Sequence, residues 1–296
     1  MIMESKGKIS AQFYALGEPA LPAYLFVGKD PVLFDAGMTF MGPHYLQNLK
    51  AILGDPPRVT HLLLTHSHFD HCGAAPFLKR NIPGLKIAAS KLAAEVWQRP
   101  TAIQFIQNLS KSMEEKFASL IKDDDVSFTG LEVDLILHDG QEVTLGDGTK
   151  IQAIATPGHT KDALSFYLPE LKVLIAGEAV GSLDRNFNIR PVFLSSYKDY
   201  LQSLAKLQKL DIELLILGHF YCLGGNIKKV LLKAQQATEE FAQRISQELA
   251  SSNGDQEAVV RKIFKEDYQE KKLILQEERP FLINLAAQVK AVAEGR

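Results

Sequence analysis

Residues 65–71 read Thr65-His66-Ser67-His68-Phe69-Asp70-His71 and follow directly on the apolar run Leu62-Leu63-Leu64. A fold that accepts this stretch must end a buried strand in four metal-capable side chains. Such a cluster is too costly to desolvate unless a cation neutralises it. Residues two apart at a strand end lie on one side, so His66 and His68 lean toward a single ion. Asp70 and His71 come where the chain turns into the next helix and diverge, which points to two metal positions. Zinc takes about three or four N and O donors at roughly 2.0–2.2 Å, so further ligands have to come from elsewhere in the chain.

The rest of the sequence supplies the frame for them. Strand-length runs at 24–27, 32–34, 61–64, 86–89, 150–154, 164–168, 172–176 and 214–217 are bounded by Gly, Pro, Asp or His. Several are apolar throughout, as in sheets covered on both faces. The 164–168 run instead alternates Ser165 and Tyr167 with Leu164, Phe166 and Leu168, as a half-buried antiparallel strand would. Helical patterns fill 43–53, 76–80, 91–98 and 197–210, so strands alternate with helices and the class is α/β.

Residues 99 to about 129 carry Ile103, Phe105, Ile106, Leu109, Met113, Phe117 and Leu120 at helical spacing and close on Asp123-Asp124-Asp125. They read as a helical insertion, either core or a lid over the metals. From Asn226 the strand signal fades, and Ile227, Val230, Leu231, Ala234, Phe241, Ile245 and Leu249 form one helical face. After a break at 251–255, Val259, Val260, Ile263 and Phe264 begin another helix. A last helix is expected to start near Pro280 and to bury Leu282, Leu285, Ala286, Val289 and Val292. The organisation is therefore a body over residues 1–225 and an all-α C-terminal extension over residues 226–296. Its apolar face suits either a homodimer or burial on the body, and burial is favoured.

Charge narrows the partners. With 33 basic and 35 acidic residues among 296 and a net charge of −2, no basic field exists for nucleic acid, which is disfavoured, or for anionic lipid. A small-molecule substrate is expected. The opening residues 1–8 are too polar for a signal-peptide core, and no apolar run reaches the roughly 18 residues that spanning a membrane needs. A cytoplasmic protein is expected. The two cysteines, Cys72 and Cys222, cannot staple a fold and read as small hydrophobes; their neighbours His71 and His219 make the thiols candidates for close approach.

Three further side chains follow strands in glycine-containing turns: His159 in Thr156-Pro157-Gly158-His159-Thr160, His219 in Leu217-Gly218-His219-Phe220, and Glu178 after Gly177. His44, His61 and His138 read as ordinary surface or hydrogen-bonded histidines. Five imidazoles and two carboxylates suit zinc, and suit iron or manganese almost as well, so two divalent metal ions are the expected cofactors.

With these residues in view, the chain resembles the metallo-β-lactamase-fold superfamily. The family's His-x-His-x-Asp-His is met in full by His66, His68, Asp70 and His71, its later ligands match His159 and His219, and Asp35 in Phe34-Asp35-Ala36-Gly37 is similar to its buried supporting aspartate. The resemblance runs from residue 24 to about 221. It implies a four-layer αβ/βα sandwich with the metals at one edge of the paired sheets. His66, His68 and His159 would hold the first metal, and Asp70, His71 and His219 the second. Where the family usually has a bridging aspartate, this chain has Glu178. The extra methylene must be absorbed by a retracted backbone or a different binding mode.

Within the superfamily, Cys72-Gly73, the inserted helices and the helical C-terminus look most like the quinolone signal response protein of pseudomonads and related thioesterase-like members. Glyoxalase II is also similar in outline. Gly218-His219-Phe220-Tyr221 resembles its Gly-His-x-Tyr, and Arg279-Pro280-Phe281-Leu282 its Asn-Pro-Phe-Leu.

Two cations about 3.5–4 Å apart lower the pKa of a shared water and present a bridging hydroxide to an electrophile. Asp70 can accept the proton, while Tyr221 either donates a hydrogen bond to the developing oxyanion or simply packs. The expected function is a dinuclear metal-dependent hydrolase of a small ester or thioester. The rivals are a metal-containing regulatory or binding protein with weak or no hydrolysis, and a phosphodiesterase, which the neutral charge argues against. Flavin-linked diiron reduction is disfavoured, because that branch usually has a glutamate where His68 stands and no flavodoxin-like domain follows. If Glu178 is a poor bridge, Glu178→Asp is expected to raise occupancy of the second metal.

Overall fold

The computed structural model describes residues 1–55 and 57–295, and in it the apolar runs pair into two seven-stranded sheets. The N-terminal sheet runs Gly7–Lys8, Phe13–Glu18, Leu21–Phe26, Val32–Phe34, His61–Leu63, Lys86–Ser90, Leu135–Leu137. Its last four strands are parallel neighbours, which demands crossovers. The Gly42–Leu53, Ala75–Asn81 and Pro100–Lys116 helices lie in those connections. The second sheet runs Ile2–Glu4, Tyr221–Gly224, Leu214–Leu217, Val173–Gly177, Leu164–Leu168, Lys150–Ala155, Glu142–Thr144. Only Val173–Gly177 and Leu214–Leu217 pair in parallel, with the Tyr197–Leu207 helix between them.

Apolar residues on both faces of a strand have to be covered twice, and three packed cores do this. Leu33 and Leu62 face outward against Tyr45, Leu49, Phe77 and Trp97 of the N-terminal helices. Their neighbours Phe34 and Leu63 face inward against Phe166, Ile175 and Ile216 of the second sheet. Leu174 and Leu215 face outward again, under Leu204, Leu231, Ile245, Ile263 and Leu285. Helix, sheet, sheet, helix is the four-layer αβ/βα sandwich. Each fully buried Leu, Ile or Phe contributes about 1.5–3 kcal/mol.

This double cover corrects one expectation. Leu164–Leu168 is buried along its whole length rather than on one face, because helices close the outer side. Its polar residues are satisfied internally: the Ser165 hydroxyl donates to the Ala176 carbonyl at 3.1 Å and the Tyr167 hydroxyl to the Asp211 carbonyl at 2.7 Å.

The insertion is helical over Pro100–Lys116 and Ala118–Ile121 only, and residues 122–134 continue without helix. Lys122 adopts φ 56°, and three acids beyond a helix C-terminus oppose its dipole. Ile106 is buried and Phe117 stacks on Phe40 at 4.6 Å, whereas Phe105 is exposed. The insertion is thus mostly cover for the body, resting on the Thr39–Met41 and Phe69–Cys72 turns.

The C-terminal helices Ile227–Ser251, Gln256–Phe264 and Glu278–Ala293 lay their apolar stripe on the second sheet's outer core. Asn226 and Asp255 cap the first two by accepting from the Lys229 and Ala258 backbone N–H groups. The last helix begins two residues before Pro280 and is rotated from expectation, burying Phe281, Leu285, Gln288 and Val289 while Ala286 is exposed. No helix among the described residues is long and apolar enough to cross a membrane.

Candidate metal centre

All the ligand-type residues sit past strand C-terminal ends that share one edge of the sandwich. His66, His68, Asp70 and His71 follow His61–Leu63, the last two on the Phe69–Cys72 helical turn. His159 follows Lys150–Ala155, Glu178 follows Val173–Gly177 and His219 follows Leu214–Leu217. Gly158 makes the first of these turns feasible: at φ +135° a Cβ there would lie 2.4 Å from the Tyr200 Cα, so no side chain fits.

The seven side chains form two groups, His66, His68, His159 and Glu178, and Asp70, His71 and His219, with ligand atoms within 4.8 Å of one another in each. Glu178 reaches both. Its Oε2 lies 2.5 Å from His159 Nε2, 3.6 Å from His66 Nε2 and 3.9 Å from His71 Nε2, while Oε1 lies 3.6 Å from His219 Nε2. His219 Nε2 is also 3.6 Å from Asp70 Oδ2 and 3.2 Å from His71 Nε2, and His159 Nε2 lies 3.0 Å from His68 Nδ1. The extra methylene of the glutamate is absorbed opposite Gly218, where a Cβ would come 3.1 Å from Glu178 Cγ and 3.2 Å from His71 Cε1.

Four of the five imidazoles are aimed by what their far nitrogen touches. His71 Nδ1 lies 2.8 Å from Asp35 Oδ2, His159 Nδ1 2.6 Å from the Val192 carbonyl, and His219 Nδ1 2.7 Å from the Ala20 carbonyl. Thr65 Oγ1 donates to Asp35 Oδ2 at 2.9 Å and so must accept from His66 Nδ1, 3.0 Å away. That hydrogen bond leaves a lone pair on His66 Nε2, which is buried and has no hydrogen-bond partner among the described residues. A buried lone pair among three other imidazoles and a carboxylate is what a metal ligand looks like without its cation. The donor set therefore fits a divalent metal ion.

The electrostatics divide the cluster. Burial, then the neighbouring imidazoles, hold His66 well below the usual histidine range, and burial with His159 pushes His68 down to about 4. Burial also opposes charge on His71, but Asp35 outweighs it and lifts His71 to about 9. Burial alone would raise Glu178, yet His159, His219 and His71 hold it well below the carboxylate range. Burial opposes charge on His159 too, but Glu178 outweighs it and raises His159. Glu178 is thus kept ionised beside two imidazoles that resist protonation, His66 and His68, and two that accept it, His71 and His159. Asp35 pays for its role with a left-handed backbone, φ 57°, tolerable for aspartate and typical of functional positions.

Sequence reasoning missed the Ala20 and Val192 carbonyls, the Thr65 relay, and Asp162, which accepts from the Ser67 N–H at 2.7 Å. Carbonyls carry no side-chain signature, and only the proximity of Asp162 to His159 could have hinted at it. Tyr221 starts a strand and turns to the outer face, its ring 5.6 Å from Phe187; its hydroxyl makes no hydrogen bond among the described residues. His44, His61 and His138 lie outside the two groups. Cys72 and Cys222 are both free and buried; strand alternation turns Cys222 inward between the sheets, while Cys72 packs under the N-terminal helices.

Comparison with known proteins places this architecture. The family model described as the metallo-beta-lactamase superfamily matches residues 21–219, well over half of the chain. A hydroxyacylglutathione hydrolase of Bartonella tribocorum is 36% identical over 114 residues, 36% of this chain and 43% of that protein. An atrochrysone carboxyl ACP thioesterase of Aspergillus fumigatus is 26% identical over 227 residues, 76% of this chain and 57% of that one. The matched stretches span only 42–61% of the length of these and similar curated relatives. A metallo-beta-lactamase family protein from Thermus thermophilus shares the fold at a TM-score of 0.66 and 21% identity, over 97% of this chain and 95% of that one. The chain belongs to the metallo-beta-lactamase superfamily.

Proposed function

We propose that this superfamily member is a dinuclear metal-dependent hydrolase of a small ester or thioester, using zinc or iron. The observation that carries the reading is Glu178, whose carboxylate reaches ligand atoms of both converging groups. When bound, a pair of divalent ions lowers the pKa of water toward neutrality and polarises a carbonyl. His66, His68 and His159 would hold one ion, Asp70, His71 and His219 the other, with Glu178 between them.

The chain's own groups do the remaining work. Asp70, its side chain 23% exposed, is the carboxylate that faces solvent and can accept the proton of an attacking water. Asp35, fixed by Thr65, keeps His71 aimed inward. The Tyr200 hydroxyl donates to the Glu178 carbonyl at 3.0 Å and steadies its backbone. The thioesterase and hydroxyacylglutathione hydrolase names among the relatives support thioester chemistry, and the near-neutral charge supports a small substrate over a nucleic acid. In the same proposal residues 1–225 are the catalytic body and residues 226–296 an extension docked on it.

Elemental analysis of metal per chain, combined with hydrolysis of thioesters, esters, phosphodiesters and a lactam, tests the proposal. Two metals and turnover on thioesters or esters are expected. Full metal loading with no turnover on any class would overturn it in favour of a metal-containing binding protein.

A further inference from the structure

The Val192 carbonyl that aims His159 belongs to a segment neither large sheet holds. Ser182–Leu183 and Ile189–Arg190 form a separate two-stranded ribbon, and residues 191–196 lead from it to the Tyr197–Leu207 helix. No sheet ladder therefore fixes where Val192 lies. Leu194 and Ser195 are tied to the Gly158 carbonyl at 3.1 and 3.0 Å, but the stretch just before Val192 is tied to the C-terminal helices.

Three polar contacts make that connection. The Gln288 side-chain amide, 5% exposed, donates to the Pro191 carbonyl at 2.8 Å. Arg190 donates to Asp267 at 3.0 Å, and Arg244 holds the same Asp267 oxygen at 2.8 Å. The Arg185 N–H donates to the Leu273 carbonyl at 2.9 Å, and the Leu273 N–H to the Asp267 carbonyl at 3.0 Å. Asp267 is 1% exposed and sits in the π-helical turn Lys265–Glu270, an irregularity that recurs near functional sites. The Arg190 guanidinium also lies over the Phe241 ring at 5.6 Å.

We propose that the C-terminal helices set the aim of the metal ligand His159, with Gln288 and Asp267 as positioning residues acting through residues 190–192. The inference rests on His159 being a metal ligand. It assigns the extension a role in the site that covering apolar surface would not require, because the Gln288 and Asp267 contacts converge on residues 190 and 191, next to the carbonyl His159 uses. Partners behind a metal ligand typically tune affinity by about 10–100-fold, and one step further out the lower end applies.

The test uses the full chain, stripped of metal and titrated with cobalt(II) followed by visible absorption, with zinc affinity from chelator competition and melting of the metal-free protein as control. Gln288→Met removes the amide and keeps most of the volume. Leu285→Ala, one turn earlier, loosens the same helix while leaving the Gln288, Asp267 and Leu273 hydrogen bonds to residues 185–191 in place. Gln288→Met is expected to weaken binding at the His66, His68 and His159 position by about tenfold and to alter its cobalt spectrum, whereas Leu285→Ala melts lower and binds as the parent does. Asp267→Asn should follow Gln288→Met; if it fails to fold, Gln288→Met decides alone. Unchanged affinity in Gln288→Met, or an equal loss in Leu285→Ala, overturns the proposal. A parent chain that binds no cobalt would instead overturn the metal-centre reading beneath it.

Discussion

The two sheets contribute to the metal centre in opposite ways. The N-terminal sheet delivers four ligands from one strand end, within residues 66–71, while the second delivers His159, Glu178 and His219 from three separate strand ends. The N-terminal set is held mainly by side chains close in sequence or in the adjacent strand, Thr65 and Asp35. The other histidines are held by backbone carbonyls, Val192 and Ala20, at sequence separations of 33 and 199. One half of the site is coded locally; the other exists only once the sandwich has closed.

The difference can be broken most severely on the local side. His66→Ala removes a ligand that nothing replaces, and a fall of about 10³-fold or more in turnover is expected from the several kcal/mol a metal supplies. The metal-free variant should also melt lower than the metal-free parent, because the buried ring's hydrogen bond to Thr65 is lost and a cavity remains; an unchanged melting temperature would contradict that picture. Next, Asp35→Ala orphans the Thr65 N–H and His71 Nδ1. A loss of roughly 10–100-fold in metal affinity is expected, together with about 3–5 kcal/mol in denaturant unfolding, as for a broken buried pair.

On the distributed side, Glu178→Asp separates two views of the bridge. If Glu178 is a poor bridge, as the family resemblance allows, aspartate should raise occupancy of the second metal. The packing at Gly218 supports a prediction of the opposite sign: it leaves room for the glutamate's methylene, so shortening the side chain should lower second-metal occupancy, by about tenfold in affinity. Elemental analysis reads the outcome, and a rise would restore the first view.

Acid offers a gentler probe. Burial would raise Asp267, but Arg244 and Arg190 outweigh it and hold its pKa down. A lowered folded value means stability that is present above the unfolded value of about 4 and lost as pH falls through the folded one. Below about pH 4 melting should fall more steeply in the parent than in Asp267→Asn; parallel curves would show that Asp267 contributes nothing to it. The smallest effect belongs to Tyr221→Phe. Its hydroxyl has no partner among the described residues, so a hydrogen bond to substrate would be worth about 0.5–1.5 kcal/mol, or roughly 2–10-fold in kcat/KM. No change would leave Tyr221 a packing residue against Phe187.

The same contrast explains what could be read in advance. The motif, the eight apolar runs and most of the helical stretches are encoded by neighbours, so local pattern finds them. Phe13–Glu18 escaped because Gly17 breaks its pattern, and a Cβ at that position would meet Tyr45 at 2.5 Å. Ser165 and Tyr167 looked solvent-facing because alternation records polarity and not what later covers the strand. The start of the last helix was set two residues late because proline is tolerated anywhere in a first turn. The carbonyls that aim His159 and His219 leave no mark in sequence, since every residue has one.

The pairing of Ile2–Glu4 with Tyr221–Gly224 has a consequence for synthesis. At about 5–20 residues per second, the earliest strand waits roughly 10–40 s for its partner to be made. An open strand edge exposed that long invites pairing with other chains. Here it is three residues long, and two of them stay exposed even in the finished sheet. The segment that waits longest for its partner offers little for a stray chain to join.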